Sequence, residues 1–144
     1  MPAIYEHAHV VATDEIDALN HANNLAYLGW TQAAALAHSA AQGWPAEAYH
    51  RLGHGWVVRS HRITYLMPAL AGDDLVVRTW VATMKKASST RRYDIIRRAD
   101  GKTLASAATD WAFINFSTGL PSRVPAEISQ SFELVDNPAD QFLV

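Results

Sequence analysis

From Ala18 to Ala46 the chain contains no Asp, Glu, Lys or Arg. Within that stretch Leu25, Tyr27, Leu28, Trp30, Ala34, Ala35 and Leu36 recur at helical spacing, and Asn23 or Asn24 is a suitable N-cap. The pattern predicts a helix to about Gln42, where Gly43 and then Pro45 stop it. At ~1.5 Å per residue it would be about 27 Å long. A soluble helix of that length without charge requires cover on nearly every side. Thr31, Gln32, His38 and Ser39 interrupt it and Gly29 weakens it, so it does not read as a membrane span. The cover must be protein.

Polar residues stand at the mouth of this helix: Asp14, Glu15 and Asp17, then His21, then Asn23 and Asn24. A helix N-terminus presents unpaired N–H groups and partial positive charge. Those amides could polarise an acyl carbonyl as an oxyanion hole does, and a carboxylate a few residues upstream could attack the same carbon or activate a water. Plainer roles fit the same residues. Asp17 could be a turn acid, His21 a ring bonded to backbone carbonyls, and the two Asn caps. Asp14 and Glu15 read as solvated acids at a strand end.

Ile4–Ala12 reads as a first strand with Tyr5, His7 and His9 on one face. The two His lack a third ligand nearby, and His21, His38, His50, His54 and His61 are scattered, so no metal is expected. Residues 44–50 suggest a short helical lid. Strands follow at Gly55–Met67, Leu75–Met84, Ser89–Arg98 and Thr103–Phe116, with Asp100-Gly101 as a two-residue hairpin signal. Ala105, Ala107, Thr109, Trp111 and Phe113 share a face whose small residues would let a helix lie close. The result is an α+β domain, an antiparallel β-sheet wrapped around one long central α-helix. A short helix over residues 124–128 and the acids Glu133, Asp136 and Asp140 suggest a solvated end.

Chain length fits one domain over residues 1–144, with 122–144 as a C-terminal extension. A hydrophobic fraction of 49% excludes disorder. The net charge of −2 gives no general attraction to nucleic acid, and without cysteine there is no disulfide or thiol chemistry. The start lacks a signal-peptide pattern, so a cytoplasmic setting is expected. Between Arg78 and Lys102 eight basic residues face only Asp94 and Asp100, and most read as solvated strand edges.

The segment from Asp17 to Trp30 resembles the D-x-x-x-H-x-N-N-x-x-Y signature of hotdog-fold thioesterases, in the branch of 4-hydroxybenzoyl-CoA and acyl-CoA thioesterases related to the plant acyl-ACP thioesterases. The resemblance extends more weakly to about Pro125. It implies an acyl-CoA thioesterase with the hotdog fold, or one acting on acyl-ACP. Asp17 would be nucleophile or general base, the Asn24 amide the oxyanion donor, and His21 and Asn23 would orient the acid, the water or the loop. Tyr27 would join Asn23 in substrate binding. Lys85, Lys86 and Ser88 fall on the turn where related enzymes meet CoA phosphates. Leu19 departs from the plant pattern, which has a catalytic Asn at that place. No separate cofactor is implied, since CoA is part of the substrate. The fold also hosts acyl-CoA hydratases and dehydratases, though no hydratase-type motif is present, and a non-enzymatic acyl-CoA binding protein is a further alternative. Relatives of this kind form dimers or tetramers with the site between subunits. Trp80, Tyr93 and Trp111 suggest an exposed face suited to such contact.

Overall fold

The computed structural model describes residues 3–135. The long helix is α1, Asn24–Ala41, within a residue of its expected bounds. Asn23 caps it: Ala26 N–H donates to Asn23 Oδ1 at 2.8 Å. The strands are β1 (Tyr5–Val10), β2 (His54–Tyr65), β3 (Asp74–Met84), β4 (Ser88–Arg97) and β5 (Lys102–Asn115). Among the described residues there are also two short α-helices, α2 (Ala46–Leu52) ahead of β2 and α3 (Ala126–Ser129) after β5, and one 3₁₀ turn, Thr13–Glu15.

All five strands lie in one antiparallel sheet of order β1-β3-β4-β5-β2. Its inner face follows from strand parity. Leu75, Val77 and Thr79 of β3 align with Arg97, Ile95 and Tyr93 of β4, and Tyr93 in turn with Ala107 of β5. Against these α1 packs Tyr27, Trp30, Ala34 and Ala35, forming the main core. Ala105 and Ala107 leave the room that lets the helix sit close. A second core gathers Val81, Phe113, Val124, Ile128 and Phe132 beneath α2 and α3, with Trp44, Tyr49 and Trp56 packed against it.

Four expectations need correction. The β4–β5 connection is not a two-residue hairpin. Arg97 pairs with Lys102, leaving four residues between them, because Gly101 takes φ 70° and Arg97 clasps Asp100 at 2.8 Å. The residues after Pro121 are not merely a solvated end: Ile128 and Phe132 are buried, while Asp136 and Asp140 lie outside the described residues. Trp80 and Tyr93 offer no exposed face, being 2% and 0% accessible, and Trp111 is half-buried. Nor is α1 covered on every side. Leu25 and Leu36, 76% and 62% exposed, align with exposed Gly29, Gln32 and Ala40 along one stripe that this chain leaves open.

Candidate active site

Two places in the structure hold groups arranged for chemistry, and they lie at opposite ends of α1.

The first is the joint leading into the helix. Ile16 and Ala22 form an antiparallel bridge, closing a tight hairpin with Asp17 and His21 as its inner pair. Asp17 N–H donates to the His21 carbonyl at 2.8 Å. The Asp17 carboxylate accepts, through Oδ1, the N–H groups of Leu19 at 2.8 Å and His21 at 3.2 Å. Asn20 takes a left-handed φ of 63° at the tip, a conformation Asn tolerates. The Asp-to-His spacing is thus the length of one Asx-stabilised turn. Asp17 and His21 are both exposed, and Oδ2 of Asp17 has no partner among the described residues. Leu19, where the plant pattern has Asn, is 74% exposed.

Asn23 ties the hairpin to the helix. Besides capping α1, its Nδ2 donates to the Glu15 carbonyl at 3.0 Å and its N–H to the same oxygen at 2.8 Å. The amide of Asn24, first residue of α1, has no acceptor among the described residues. Tyr27 is buried, with its hydroxyl accepting the Ala69 N–H at 3.0 Å; Ala69 in turn accepts from Ala22 N–H at 2.8 Å. Tyr27 therefore fixes the hairpin from beneath.

Glu15 is not a solvated strand-end acid. Its carboxylate meets His9 Nε2 at 2.7 Å, the Ala12 N–H at 2.9 Å and the Trp30 indole N–H at 2.8 Å. Burial pushes this carboxyl up, but the Ala12 amide, His9 and Trp30 outweigh it and hold it below the ordinary range. Sequence spacing alone does not reveal this hub, because its partners come from β1 and α1, which only the fold brings together.

The second place is a cavity of about 410 Å³ between the C-terminal half of α1, α2 and the sheet. Its walls are aromatic, including Trp44, Trp56, Trp111 and Phe132. Along one side runs a satisfied hydrogen-bond chain: Trp56 Nε1–H donates to the Tyr49 hydroxyl at 3.2 Å, Tyr49 and Ser39 meet at 3.3 Å, and Ser39 donates to the Trp44 carbonyl at 2.7 Å. Burial raises the Tyr49 hydroxyl above its ordinary value.

At the wall of the cavity sits Arg91, only 6% exposed. Composition groups it with the solvated basic residues of the Arg78–Lys102 stretch, and the structure does not. Strand parity is the signal that could have found it, since Arg91 shares its face with buried Tyr93 and Ile95. The other basic residues scatter: Arg78 meets Glu6 at 3.5 Å, Arg98 meets Asp74 at 3.6 Å and Arg97 meets Asp100. Lys85 and Lys86 are exposed on the β3–β4 turn, where the Lys85 N–H donates to the Ser88 carbonyl at 2.8 Å. The residues flanking that turn, Met84 and Ser89, line the cavity, so both lysines stand near its rim. None of Asp17, His21, Asn23 or Asn24 lines it.

The fold and its helix-mouth hairpin place this chain among the hotdog proteins. A family model described as "Thioesterase-like superfamily" matches residues 11–132, and the chain belongs to that superfamily. Solved structures agree on the fold. The 1,4-dihydroxy-2-naphthoyl-CoA thioesterase from Synechocystis superposes with a TM-score of 0.84 at 16% identity, covering 94% of this chain and 99% of that one. A Staphylococcus aureus protein solved in complex with CoA gives 0.86 at 16% identity, covering 96% and 91%. An acyl-ACP thioesterase from Bacteroides thetaiotaomicron gives 0.85 at 20% identity; it covers 94% of this chain, which spans only 55% of that protein. No match was found among curated proteins. Among the described residues no helix is long and apolar enough to cross a membrane.

Proposed function

We propose that this protein hydrolyses an acyl-CoA thioester to the free acid and CoA thiol, with Asp17 as the catalytic carboxylate. The observation that carries the reading is the hairpin into α1. It fixes one oxygen of Asp17 with two amides and delivers the chain to α1; among the described residues the other oxygen has no partner and the leading amide of the helix is open. Oδ2 of Asp17 attacks the thioester carbon, giving an acyl–Asp17 anhydride that water cleaves to free acid and carboxylate after the thiolate has left, or it takes a proton from a water that attacks that carbon directly. Charge developing on the carbonyl oxygen is met by the Asn24 N–H and the positive end of α1. The C–S bond then breaks, and the thiolate, of ordinary pKa ~8.5, departs without a strong acid. His21 and Asn23 act as positioning residues, through the backbone of the turn and the cap. Tyr27 supports them from the core. Lys85, Lys86 and Ser88 hold the CoA phosphates at the cavity rim.

One chain separates the two halves of such a site. Asn24 and Ser39 are 15 positions apart on α1, about 22 Å at ~1.5 Å per residue. A two-fold pair with antiparallel α1 helices would set Asp17 of the partner subunit against this subunit's cavity. The charge-free stripe of Leu25, Gln32 and Leu36 and the free edge of β2 supply a surface for that pairing.

Asp17→Asn tests the assignment cleanly. Asn keeps the oxygen that accepts from Leu19 and His21, so the hairpin survives while the carboxylate is lost. Thiol release from an acyl-CoA panel should fall by about 10²–10⁴ in kcat, the usual worth of a positioned base, with melting temperature unmoved. Turnover within threefold of wild type would remove Asp17 from the mechanism. Hydration of an enoyl-CoA without thiol release would instead favour the hydratase alternative.

A further inference from the structure

Among the described residues Arg91 is a cation buried without an anion. Its guanidinium lies over the ring of Phe132, with Cζ 5.9 Å from the centroid. Nη1 donates to Nδ1 of His38 at 2.8 Å and to Oγ1 of Thr79 at 3.1 Å. Both acceptors are neutral. The Thr79 hydroxyl itself donates to the Arg92 carbonyl at 3.0 Å. His38 accepts at Nδ1 and is therefore the Nε2–H tautomer, uncharged. Burial and the adjacent guanidinium lower its pKa to about 4, which keeps it neutral at ordinary pH. The remaining donors of Arg91, Nε–H and the two on Nη2, meet no acceptor among the described residues, and no carboxylate there pairs with it.

A buried guanidinium without a counter-ion is costly, and proteins normally pair it. Here the side chain lines a cavity whose volume, about 410 Å³, falls in the range of small-molecule sites, ~300–1,000 Å³. The cavity's hydroxyl and indole groups on Tyr49, Ser39 and Trp56 already bond one another. Glu47, the one acid among the lining residues, makes no ion pair with Arg91 among the described residues, and the open cationic donors at the cavity wall belong to Arg91. They form a planar fork, the shape that grips a carboxylate through two parallel hydrogen bonds.

We propose that the cavity takes an acyl group whose far end carries a carboxylate, with Arg91 as its counter-ion and the aromatic walls enclosing the carbon skeleton between carboxylate and thioester. This rests on the thioesterase reading and adds to it the substrate class: an ω-carboxyacyl or carboxyaryl thioester. A neutral acyl group of the same length would leave three N–H donors dry and unpaired, and sites built that way discriminate steeply.

The test has two arms. In the first, kcat/KM for thiol release is measured with an ω-carboxyacyl-CoA and with the neutral acyl-CoA of equal carbon number. The wild-type protein should prefer the carboxylate by at least about 100-fold, or about 2.7 kcal/mol at ~1.36 kcal/mol per tenfold. Arg91→Met should collapse the ratio to about 1 and Arg91→Lys should leave it intermediate. In the second arm no turnover is needed. Trp44, Trp56 and Trp111 line the cavity, so their fluorescence reports occupancy. Benzoate should titrate it and benzamide should not. If benzoate binds and benzamide does not while no CoA ester releases thiol, the anion site stands and the thioesterase reading falls. If neutral esters are cleaved as well as carboxylated ones and benzoate binds no better than benzamide, the thioesterase reading stands and this inference is overturned. Both comparisons are complete in the wild-type protein, so they decide the matter even where a variant fails to fold.

Discussion

Acid should weaken this protein well above the pH at which its carboxylates titrate, and His38 is the reason. The ring is 2% exposed, stacked on Tyr5 with centroids 5.3 Å apart, and accepts from Arg91 through Nδ1 at 2.8 Å. Protonation would remove that acceptor and set a second cation against a buried one. Burial first, and the field of Arg91 second, lower its pKa from 6.5 to about 4. The unfolded chain takes up this proton near pH 6.5 and the folded protein only near pH 4. Between those values the unfolded state binds more protons, so stability rises with pH and is lost as pH falls. Integrating both titrations from pH 7 to pH 5 gives a loss on the order of 2 kcal/mol at ~1.36 kcal/mol per unit. With an unfolding entropy of ~2.1 cal/mol/K per residue, a chain of this length should lose about 6 °C in Tm. Thermal unfolding followed by circular dichroism at pH 7, 6 and 5, at one protein concentration, measures it. His38→Asn run in parallel isolates the cause, because its Oδ1 preserves an acceptor near Nδ1 but does not titrate. The variant should melt nearly independently of pH over this window, apart from His61, which burial also lowers and which contributes equally to both proteins. Glu15, Asp100 and Asp110 are held below their ordinary range and act only at lower pH. Parallel melting curves for wild type and His38→Asn between pH 7 and 5 would refute the reasoning.

Asn23→Ala removes both the cap on Ala26 and the bond to the Glu15 carbonyl. It should cost about 1–2 kcal/mol in chemical denaturation and lower kcat more than a matched loss of stability elsewhere; an unchanged denaturation midpoint would show the cap to be dispensable. Leu25→Glu with Leu36→Glu places charge on the open stripe of α1. Light scattering should show the wild type as a dimer or larger and the double variant as a monomer without thioesterase activity. A monomeric wild type, or a fully active monomeric variant, would sink the shared site.

The helix and its mouth were legible because their signals are local. Asn23, Gly43 and Pro45 bracket α1, and the Asp17–His21 spacing is one turn of chain. Strand bounds came within two residues of those observed, because alternation and Pro68 mark them. What escaped was long-range. Glu15 gains its meaning from His9 and Trp30, and the connection after Arg97 is set by its grip on Asp100. Trp80 misled because a large aromatic on the outer parity of β3 would ordinarily face solvent. Here it is 2% exposed. Arg91 misled through composition: a run of basic residues suggested a solvated face, while the register of β4 against β5 turns one of them inward.

Burial alone does not explain the charge-free run, since one stripe of α1 is open in the single chain. Two separate demands account for it better. On the outer side, Leu25, Gln32 and Leu36 could pair across a two-fold axis only if like charges were not brought together there. On the inner side, Ala35 and Ser39 line the cavity that holds Arg91, and Trp44 closes it just beyond the helix. An acid at any of these places would neutralise the guanidinium from within, saturate its free donors, and leave nothing for a ligand carboxylate to displace. A base would repel it. Uncharged side chains on α1 keep that cation both buried and available from the helix side, and the one acid lining the cavity, exposed Glu47 of α2, makes no ion pair with it among the described residues, so the guanidinium is left for a ligand carboxylate.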